Sequence, residues 1–293
     1  MKHIPARLTF LITATLGIHS VNAQKVTGKL QFNQGQVAEI TMQVKTTIAQ
    51  EAMGQAIDFN IDATGVHTFQ VTNSTEENTT LNHRMKQVSF YFDGMGQKRK
   101  FDSREEKDIN GPFGKPMKDL LEKKYDIIID SNGRTLMAIP EKVVYGETDS
   151  RMALITSLLK DVTALVQPPA KGKPSFFQVL PDRETGVGDS WKDGYEDSTG
   201  KMNATYTVTG LNDTLIVVEF VINSVTTTKA EMMGNETVTT MNNKSTGKIL
   251  LDRMTGIIRE KIINTESSGT TEGPFGSVPV TSKTSTLITV RLL

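Results

Sequence analysis

Alternation of apolar and polar residues with a period of two runs through most of the chain after residue 24, and it constrains the fold more than any other feature. The clearest runs are 26–32, 40–45, 57–62, 88–92 and 204–209. This pattern is typical of β-strands that have one face on a core and the other in water. The apolar run "LIVVEFVI" at 215–222 differs, because it predicts a strand that is covered on both faces.

Turn sequences separate these runs. Asp93-Gly94, Asn132-Gly133 and the stretches 210–213 and 252–256 are typical of hairpin connections, in which Gly, Asn and Asp accept the backbone angles of tight turns. Strands joined by hairpins are antiparallel neighbours. The sequence therefore predicts a mainly β (α+β) fold, with one or more curled antiparallel sheets and two helices.

The two helices are predicted where the alternation stops. Residues 149–166 carry apolar side chains at helical spacing behind Asp149 or Ser150 as a cap. Those side chains are Ile155, Leu158, Leu159, Val162, Leu165 and Val166. A shorter helix is predicted at 116–124, with Met117, Leu120 and Leu121 on one side.

A Pro- and Gly-containing stretch at 168–174 follows the longer helix and predicts a break or linker. This divides the chain into an N-terminal antiparallel sheet with two helices (24–167) and a threonine-rich, C-terminal β-rich half (175–293).

The first 23 residues are expected to be a signal peptide. Lys2 and Arg7 precede an apolar run at 8–18, and small residues follow up to a cleavage site after Ala23. The run is shorter than the roughly 20 residues that span a bilayer. We therefore expect a periplasmic or secreted protein that begins at Gln24 and has no transmembrane segment after cleavage. The sequence contains no cysteine, so neither a thiol-linked lipid anchor nor a disulfide framework is expected.

The balance of charges limits the classes of partner that the chain is expected to bind. The chain has 33 basic and 33 acidic residues, without a long basic run. A nearly neutral chain argues against nucleic acid and anionic membrane as principal partners. The oligomeric state has no signal in the sequence.

Motifs of known chemistry are missing from the sequence. It contains no nucleophile elbow, phosphate-binding loop, zinc-protease motif or dinucleotide fingerprint. His67 and His83 lie in strand-like sequence and are predicted to be solvated. Asp189, Asp193 and Asp197 are four residues apart, which is not the ligand spacing of a calcium loop. No catalytic residue, metal site or cofactor is assigned, and the sequence favours a protein that is not an enzyme.

The motif GPFG occurs twice, at 111–114 and 273–276. Proline fixes φ, the glycines permit positive φ, and phenylalanine supplies an apolar plug. Phe113 and Phe275 are therefore predicted to hold loops against the core, with a mobile lid as the alternative. A second echo, TTIAQEAMGQ and TTTKAEMMGN, precedes the two motifs and leaves open a duplication of the two halves.

Four stretches resemble an uncharacterised family of exported Bacteroidetes proteins. They are "KLQFNQGQ" (29–36), "AMGQ" (52–55), "LPDRETGVGDSW" (180–191) and "GKILLDRMTGIIREK" (247–261). The resemblance implies export but no reaction. In architecture alone, long antiparallel strands with a few helices resemble the periplasmic lipoprotein-carrier fold, a curled sheet that holds acyl chains beneath helices.

These observations favour a non-catalytic protein that binds an apolar ligand or a lipidated partner in the cell envelope. The apolar side of the 149–166 helix is expected to cover a sheet face, either as core or as the roof of a ligand space. The predicted ligand-binding residues are Phe90, Phe92, Ile155, Leu158, Leu159 and Val162.

Two alternatives remain open. One is a structural or protein-interaction module of the envelope that docks through the threonine-rich strands of the second half. The other is an envelope hydrolase whose carboxylates meet only in the fold. Low aromatic content argues against a sugar-stacking cleft, and Trp191, the one tryptophan, is predicted to be a packing anchor.

Overall fold

The computed structural model describes residues 25–52, 55–94, 96–144, 159–232, 235–273 and 276–293. The described strands are β1 (Lys25–Val26), β2 (Val37–Ala52), β3 (Gln55–Ser74), β4 (Asn78–Gly94), β5 (Gln97–Asp102), β6 (Lys124–Asp130), β7 (Thr135–Ile139), β8 (Thr185–Gly186), β9 (Ser190–Asp197), β10 (Gly200–Leu211), β11 (Leu215–Met232), β12 (Asn235–Asp252), β13 (Ile258–Gly273) and β14 (Gly276–Leu292). The described helices are α1 (Glu106–Ile109), α2 (Gly114–Leu121) and α3 (Lys160–Thr163), and a 3-10 turn at Ala164–Val166 continues α3.

One antiparallel sheet of 12 strands dominates the fold, with the order β7-β6-β4-β3-β2-β14-β13-β12-β11-β10-β9 and β5 paired to β4. β2 pairs with β14 from Ala38 opposite Leu292 to Gln50 opposite Val280. Strands from both halves of the chain therefore belong to the same sheet. β1 and β8 form a separate two-stranded sheet. The predicted fold class, mainly β and antiparallel with a few short helices, is confirmed.

The sheet buries one face, as the period-two pattern predicts. In β3, Ile61, Ala63, Phe69 and Val71 are buried, whereas the intervening Asp62 and Gln70 are exposed. The prediction of a strand covered on both faces at 215–222 is wrong. Ile216, Val218 and Phe220 are buried, but Val221 is 43% exposed on the other face of β11. We call the buried side of the sheet the inner face and the opposite side the outer face.

The predicted strand at 26–32 ends at Val26. Beyond it the backbone bonds to two different turns, since Leu30 N–H donates to Ser131 O and Gln31 N–H to Thr255 O. A segment whose hydrogen bonds go to separate loops does not continue as a strand. Its apolar side chains are nevertheless used, because Phe32 is buried in the core.

The described helices lie close to the predicted positions. α2 begins two residues before the predicted 116–124 helix and ends three residues earlier, and α1 was not predicted. Of the predicted 149–166 helix, residues 149–158 lie outside the described residues. The described remainder contains α3 and the 3-10 turn.

The inner face carries two apolar clusters. The main cluster lies on β2–β6 under α2 and α3, and includes Ile40, Phe90 and Phe177. The second cluster lies on β10–β13 and includes Val218 and Leu180, the latter from the loop that follows residue 167. Phe176 packs against both clusters, so this loop joins the two parts of the core.

Candidate functional site

The described members of the predicted ligand-binding set lie together in the main cluster. Phe90, Leu159 and Val162 are 5%, 1% and 1% exposed, respectively, and Phe92 is partly buried against them. Ile155 and Leu158 lie outside the described residues. None of these four described side chains lines either of the two inner-face cavities described below. They fill the core, and their assignment to ligand binding remains a prediction.

Contact between α3 and the sheet depends on two residues of β3. At Gly65 a Cβ atom would lie 2.5 Å from the carbonyl oxygen of Val162, so the absence of a side chain lets α3 approach the strand. Two residues further along the strand, on the same face, His67 Nε2 lies 2.8 Å from that oxygen. α3 is therefore held on β3 by a close approach and a buried hydrogen bond.

The two histidines form a buried hydrogen-bonded pair. His67 and His83 are both 0% exposed, and His67 Nδ1 lies 3.0 Å from His83 Nε2. Because the carbonyl of Val162 only accepts, His67 carries its proton on Nε2, and His83 Nε2–H donates to His67 Nδ1. His83 Nδ1 has no hydrogen-bond partner among the described residues.

Burial sets the protonation of this pair. Desolvation lowers the pKa of His67 to about 4, although the hydrogen bond to Val162 opposes the change. Desolvation, together with repulsion from His67, lowers the pKa of His83 to about 3. Both rings are therefore neutral at pH 7, and they act as structural donors and acceptors within the core.

The prediction that these histidines are solvated is wrong. The bulge between Val66 and His67 sets the register of β3 on β4, so that Phe69 faces His83 and His67 faces Met85. Both histidine rings then lie on the inner face, side by side. The alternation contained the signal: His67 has the same parity as the apolar Phe69, and His83 the same parity as Leu81 and Met85.

An apolar cavity of about 270 Å³ lies beside the histidine pair, between the sheet and the segment from the 3-10 turn to residue 177. Its walls include Phe69, Leu81, Tyr125, Ile127, Leu165 and Phe176. Two of the polar side chains around it are hydrogen-bonded: Tyr125 Oη–H donates to Leu165 O at 2.8 Å, and Ser175 Oγ accepts from Phe177 N–H at 3.3 Å. Apolar cavities of only about 150 Å³ take up benzene, so this space suits an apolar group.

A second cavity on the inner face, of about 490 Å³, lies between the 172–181 loop and strands β9–β13. We call it the Lys261 cleft. Aromatic and aliphatic side chains form part of its wall, among them Trp191, Tyr206 and Leu180, and Lys261 reaches into it from β13. Trp191 stacks on Tyr206 with the ring centroids 5.5 Å apart, so the predicted packing anchor also borders a cavity.

A third cavity, of about 850 Å³, lies on the outer face. Its lining is rich in Thr, Ser, Asn and Lys, and includes Thr47, Asn223, Lys244, Glu266 and Lys283. Lys283 and Glu266 form an exposed ion pair at 3.5 Å.

The threonine-rich strands of the second half, predicted as a docking surface, pair hydroxyl groups across the inner face with one another and with β2. Thr46 and Thr284 lie 3.0 Å apart through Oγ1, and Thr239 and Thr271 lie 2.9 Å apart. The docking role remains a prediction.

The two GPFG motifs have different structural contexts. Phe113 precedes α2 and packs edge-on against Phe90, with the ring centroids 5.6 Å apart. This motif therefore holds a loop against the core, as predicted. In the second motif Gly273 and Gly276 are paired partners in β13 and β14, whereas Pro274 and Phe275 lie outside the described residues.

Within the described ranges, no group of three or more His, Asp or Glu side chains has a metal-binding arrangement. No helix in the same ranges has the length and apolar character needed to cross a membrane.

Comparisons with known proteins give a family match and a weak structural likeness. Residues 173–258 match the family described as "Family of unknown function (DUF6263)", a region that contains the 180–191 motif and most of the 247–261 motif. No match to a curated protein sequence was found. A solved structure entitled "Lipid-protein interactions in lipovitellin" is similar with a TM-score of 0.45 and 13% identity. The likeness covers 89% of this chain and 25% of that chain.

Proposed function

We propose that this chain is an exported, non-catalytic binding protein of the cell envelope that takes up the apolar part of a small ligand. The observation that carries the proposal is the 270 Å³ cavity on the inner face, with aromatic and aliphatic walls. Apolar walls with few polar groups are typical of small-ligand sites. The volume is close to the lower end of the usual range for such sites, roughly 300 Å³. A single ring or a short acyl segment fits this space.

The position of the cavity supports a role in binding. Its sheet wall is rigid, because Phe69 and Tyr125 pack on the buried ring of His83 with centroids 4.8 and 4.5 Å away. Its other wall is the irregular segment that contains Ala164, Leu165 and Pro169. Irregular segments open at lower free energy than paired strands. A ligand can therefore enter from the side of this segment without disturbing the sheet.

The first test is chemical. Protein purified from its native envelope is extracted with organic solvent, and the extract is analysed by mass spectrometry. A defined apolar molecule present in stoichiometric amount is expected. Repeated preparations without any such molecule would count against the proposal.

The second test uses a neutral probe, N-phenyl-1-naphthylamine, whose fluorescence rises in apolar surroundings. Ala164 is exposed at the edge of the cavity, so Ala164→Trp narrows the entrance without changing the core. Ala170 is exposed in the same segment and lines neither inner-face cavity, which makes Ala170→Trp the matched control. Saturable binding is expected for the wild type and the control, and strongly weakened binding for Ala164→Trp. Equal binding by all three, with unchanged circular dichroism, would place the probe elsewhere and contradict the proposal.

A further inference from the structure

Lys261 has an unusual position for a lysine, because its strand directs its side chain towards the buried face of the sheet. In β13, Lys261 pairs with Ile249 of β12 and Ile288 of β14, and both of these neighbours are buried on the inner face. The side chain is therefore directed to the inner face and is only partly exposed. Its Nζ lies 5.5 Å from the ring centroid of Phe220. Gly247, beside Phe220 in the sheet, leaves that ring space to lie under the ammonium group.

No carboxylate lies within ion-pairing distance of Lys261 among the described residues, and the ring of Phe220 is the one partner found for its charge there. An ammonium group that leaves water without an acceptor is costly, because it loses hydration that a π face only partly replaces. Desolvation accordingly lowers the pKa of Lys261. An anion that entered the cleft would supply the missing partner.

The other charges around the cleft favour an anion as well. Arg134, Lys173 and Lys192 also line it, and Asp193 is the one acidic residue in its lining. Arg134 lies 3.5 Å from Asp182, an exposed pair that is largely screened. Lys192 pairs with Thr205, next to the inward-facing Trp191–Tyr206 pair, so its side chain lies on the outer face. Lys261, Arg134 and Lys173 against one carboxylate give the cleft a positive potential, which concentrates anions.

One part of the wall is apolar. The stacked rings of Trp191 and Tyr206 continue towards Phe220, whose centroid is 5.9 Å from that of Tyr206. Leu180 and Ile258 add aliphatic surface, and both are buried. A free inorganic anion would leave this surface unused, whereas an acidic group joined to an apolar body would cover it. The volume, about 490 Å³, lies within the usual range of small-ligand sites, roughly 300–1,000 Å³.

We propose that the Lys261 cleft binds an anionic amphiphile, with its carboxylate or phosphate head on Lys261 and its apolar body against the Trp191–Tyr206 wall. The inference deepens the proposed function, because the Pro174–Phe176 segment lines both this cleft and the apolar cavity. It names the ligand class: an acidic head group on an acyl or aromatic body. Its test is separate from that of the apolar cavity.

The experiment compares four probes by isothermal titration calorimetry, with the amphiphiles below their micellar concentrations. Oleate and oleoyl lysophosphatidate have an acidic head and an acyl chain, oleyl alcohol has the chain alone, and inorganic phosphate has the anion alone. Both acidic amphiphiles are expected to bind more tightly than the alcohol, and phosphate is expected to bind weakly. If phosphate binds as tightly as oleate, the cleft is a site for free anions and the proposal fails. If only one acidic amphiphile binds, that result identifies the head group.

Two lysine variants locate the head group. Lys261→Met keeps the length of the side chain and removes the charge. Lys248→Met is the matched control. Lys248 lies on the neighbouring strand β12, opposite Ile262 of β13, but its side chain is exposed on the outer face. Lys261→Met is expected to weaken binding of the acidic amphiphiles by about tenfold to a hundredfold, the value of a hydrogen bond to a charged group. Binding of oleyl alcohol should not change, and Lys248→Met should behave as the wild type.

Nuclear magnetic resonance of oleate labelled with ¹³C at the carboxyl carbon gives a second readout. An adjacent ammonium group lowers the pKa of the bound carboxylate, and Lys261→Met should raise it. An unchanged carboxylate titration, or unchanged oleate affinity in a folded Lys261→Met variant, would overturn the inference. Those results would leave the neutral-probe test of the apolar cavity intact, so the two proposals can fail independently.

Discussion

His67 Nδ1 lies 3.0 Å from His83 Nε2 in the interior of the main cluster. The contact requires at least one of the facing nitrogens to be unprotonated, and both rings are fully buried. Adding a proton to either ring therefore places an unpaired charge in an apolar core, which is one of the costly changes a fold can meet.

The first prediction is a loss of stability in mild acid. The folded-state pKa values, about 4 for His67 and about 3 for His83, lie below the unfolded value of about 6.5. Below pH 6.5 the two histidines become protonated in the unfolded chain, whereas they stay neutral in the folded chain. The contribution of the neutral histidine pair to the free energy of unfolding is therefore fully present above pH 6.5 and is lost as the pH falls towards 4. Each unit of pKa change corresponds to about 1.4 kcal/mol, so the loss should reach several kcal/mol.

Urea unfolding between pH 7.5 and 4.5 measures this effect. The double variant His67→Gln/His83→Phe removes both titrating rings, keeps a donor for Val162 O and keeps an aromatic ring beside Phe69. We expect its free energy of unfolding to change much less over this range. Because these are the two histidines of the described ranges, an equal slope in both proteins would show that other groups cause the pH dependence.

The second prediction concerns the close approach at Gly65. A Cβ atom at this position would meet Val162 O at 2.5 Å, so Gly65→Ala must push α3 away from β3. Overpacking of this kind costs about 1–3 kcal/mol. Asp62→Ala, on the exposed face of the same strand, serves as the control and should cost well under 1 kcal/mol.

Hydrogen exchange distinguishes local from global loss in Gly65→Ala. The amide of Thr163, which donates to Leu159 O, should exchange faster, while amides in the centre of β3 and β4 keep their protection. Unchanged protection at Thr163, together with unchanged stability, would contradict the packing of α3 on Gly65.

The third prediction tests the first GPFG motif. Phe113 packs on Phe90 at the start of α2 and is partly buried. Truncation of a buried phenylalanine costs about 3–5 kcal/mol, so Phe113→Ala should cost somewhat less, about 2 kcal/mol. Pro112→Ala, one residue earlier and exposed, should have a small effect. Equal, negligible effects of the two substitutions in chemical denaturation would instead support a mobile lid.

Much of the architecture was readable in the sequence, because alternation records which face of a strand is buried. In β3 the pattern extends from Ile61 to Val71, and the structure buries the residues of that parity. The same rule places His67 on the inner face, because it has the same parity as Phe69, even though histidine is polar.

Lys261 could not be placed in this way. Ile262 and Ile263 are both apolar, so the local pattern does not show which side faces in. The pairing of β13 with β12 and β14 determines which of its side chains face inward. It directs Lys261 to the inner face and leaves Ile262 37% exposed. The cavities depend on how the irregular 164–181 segment packs on the sheet, and no local pattern specifies that packing.

The last prediction concerns the stability cost of Lys261. Burial lowers the pKa of its ammonium group, so the folded state holds this proton less tightly than the unfolded state does. With a folded pKa below the unfolded value of 10.5, the charge destabilises the fold at neutral pH, and the effect disappears only as the pH rises through both pKa values.

Lys261→Met should therefore raise the free energy of unfolding at pH 7. The cation–π contact with Phe220 opposes this gain, but it is worth only about 0.5–2 kcal/mol, and the methionine sulfur retains a contact with the ring. Residues kept for binding commonly reduce stability, so a variant that is more stable but binds oleate less well would identify Lys261 as a ligand-binding residue. Lys248→Met should change neither quantity. If Lys261→Met is instead clearly destabilised in urea at pH 7, its ammonium group has a favourable partner in the fold and is not kept free for an anion.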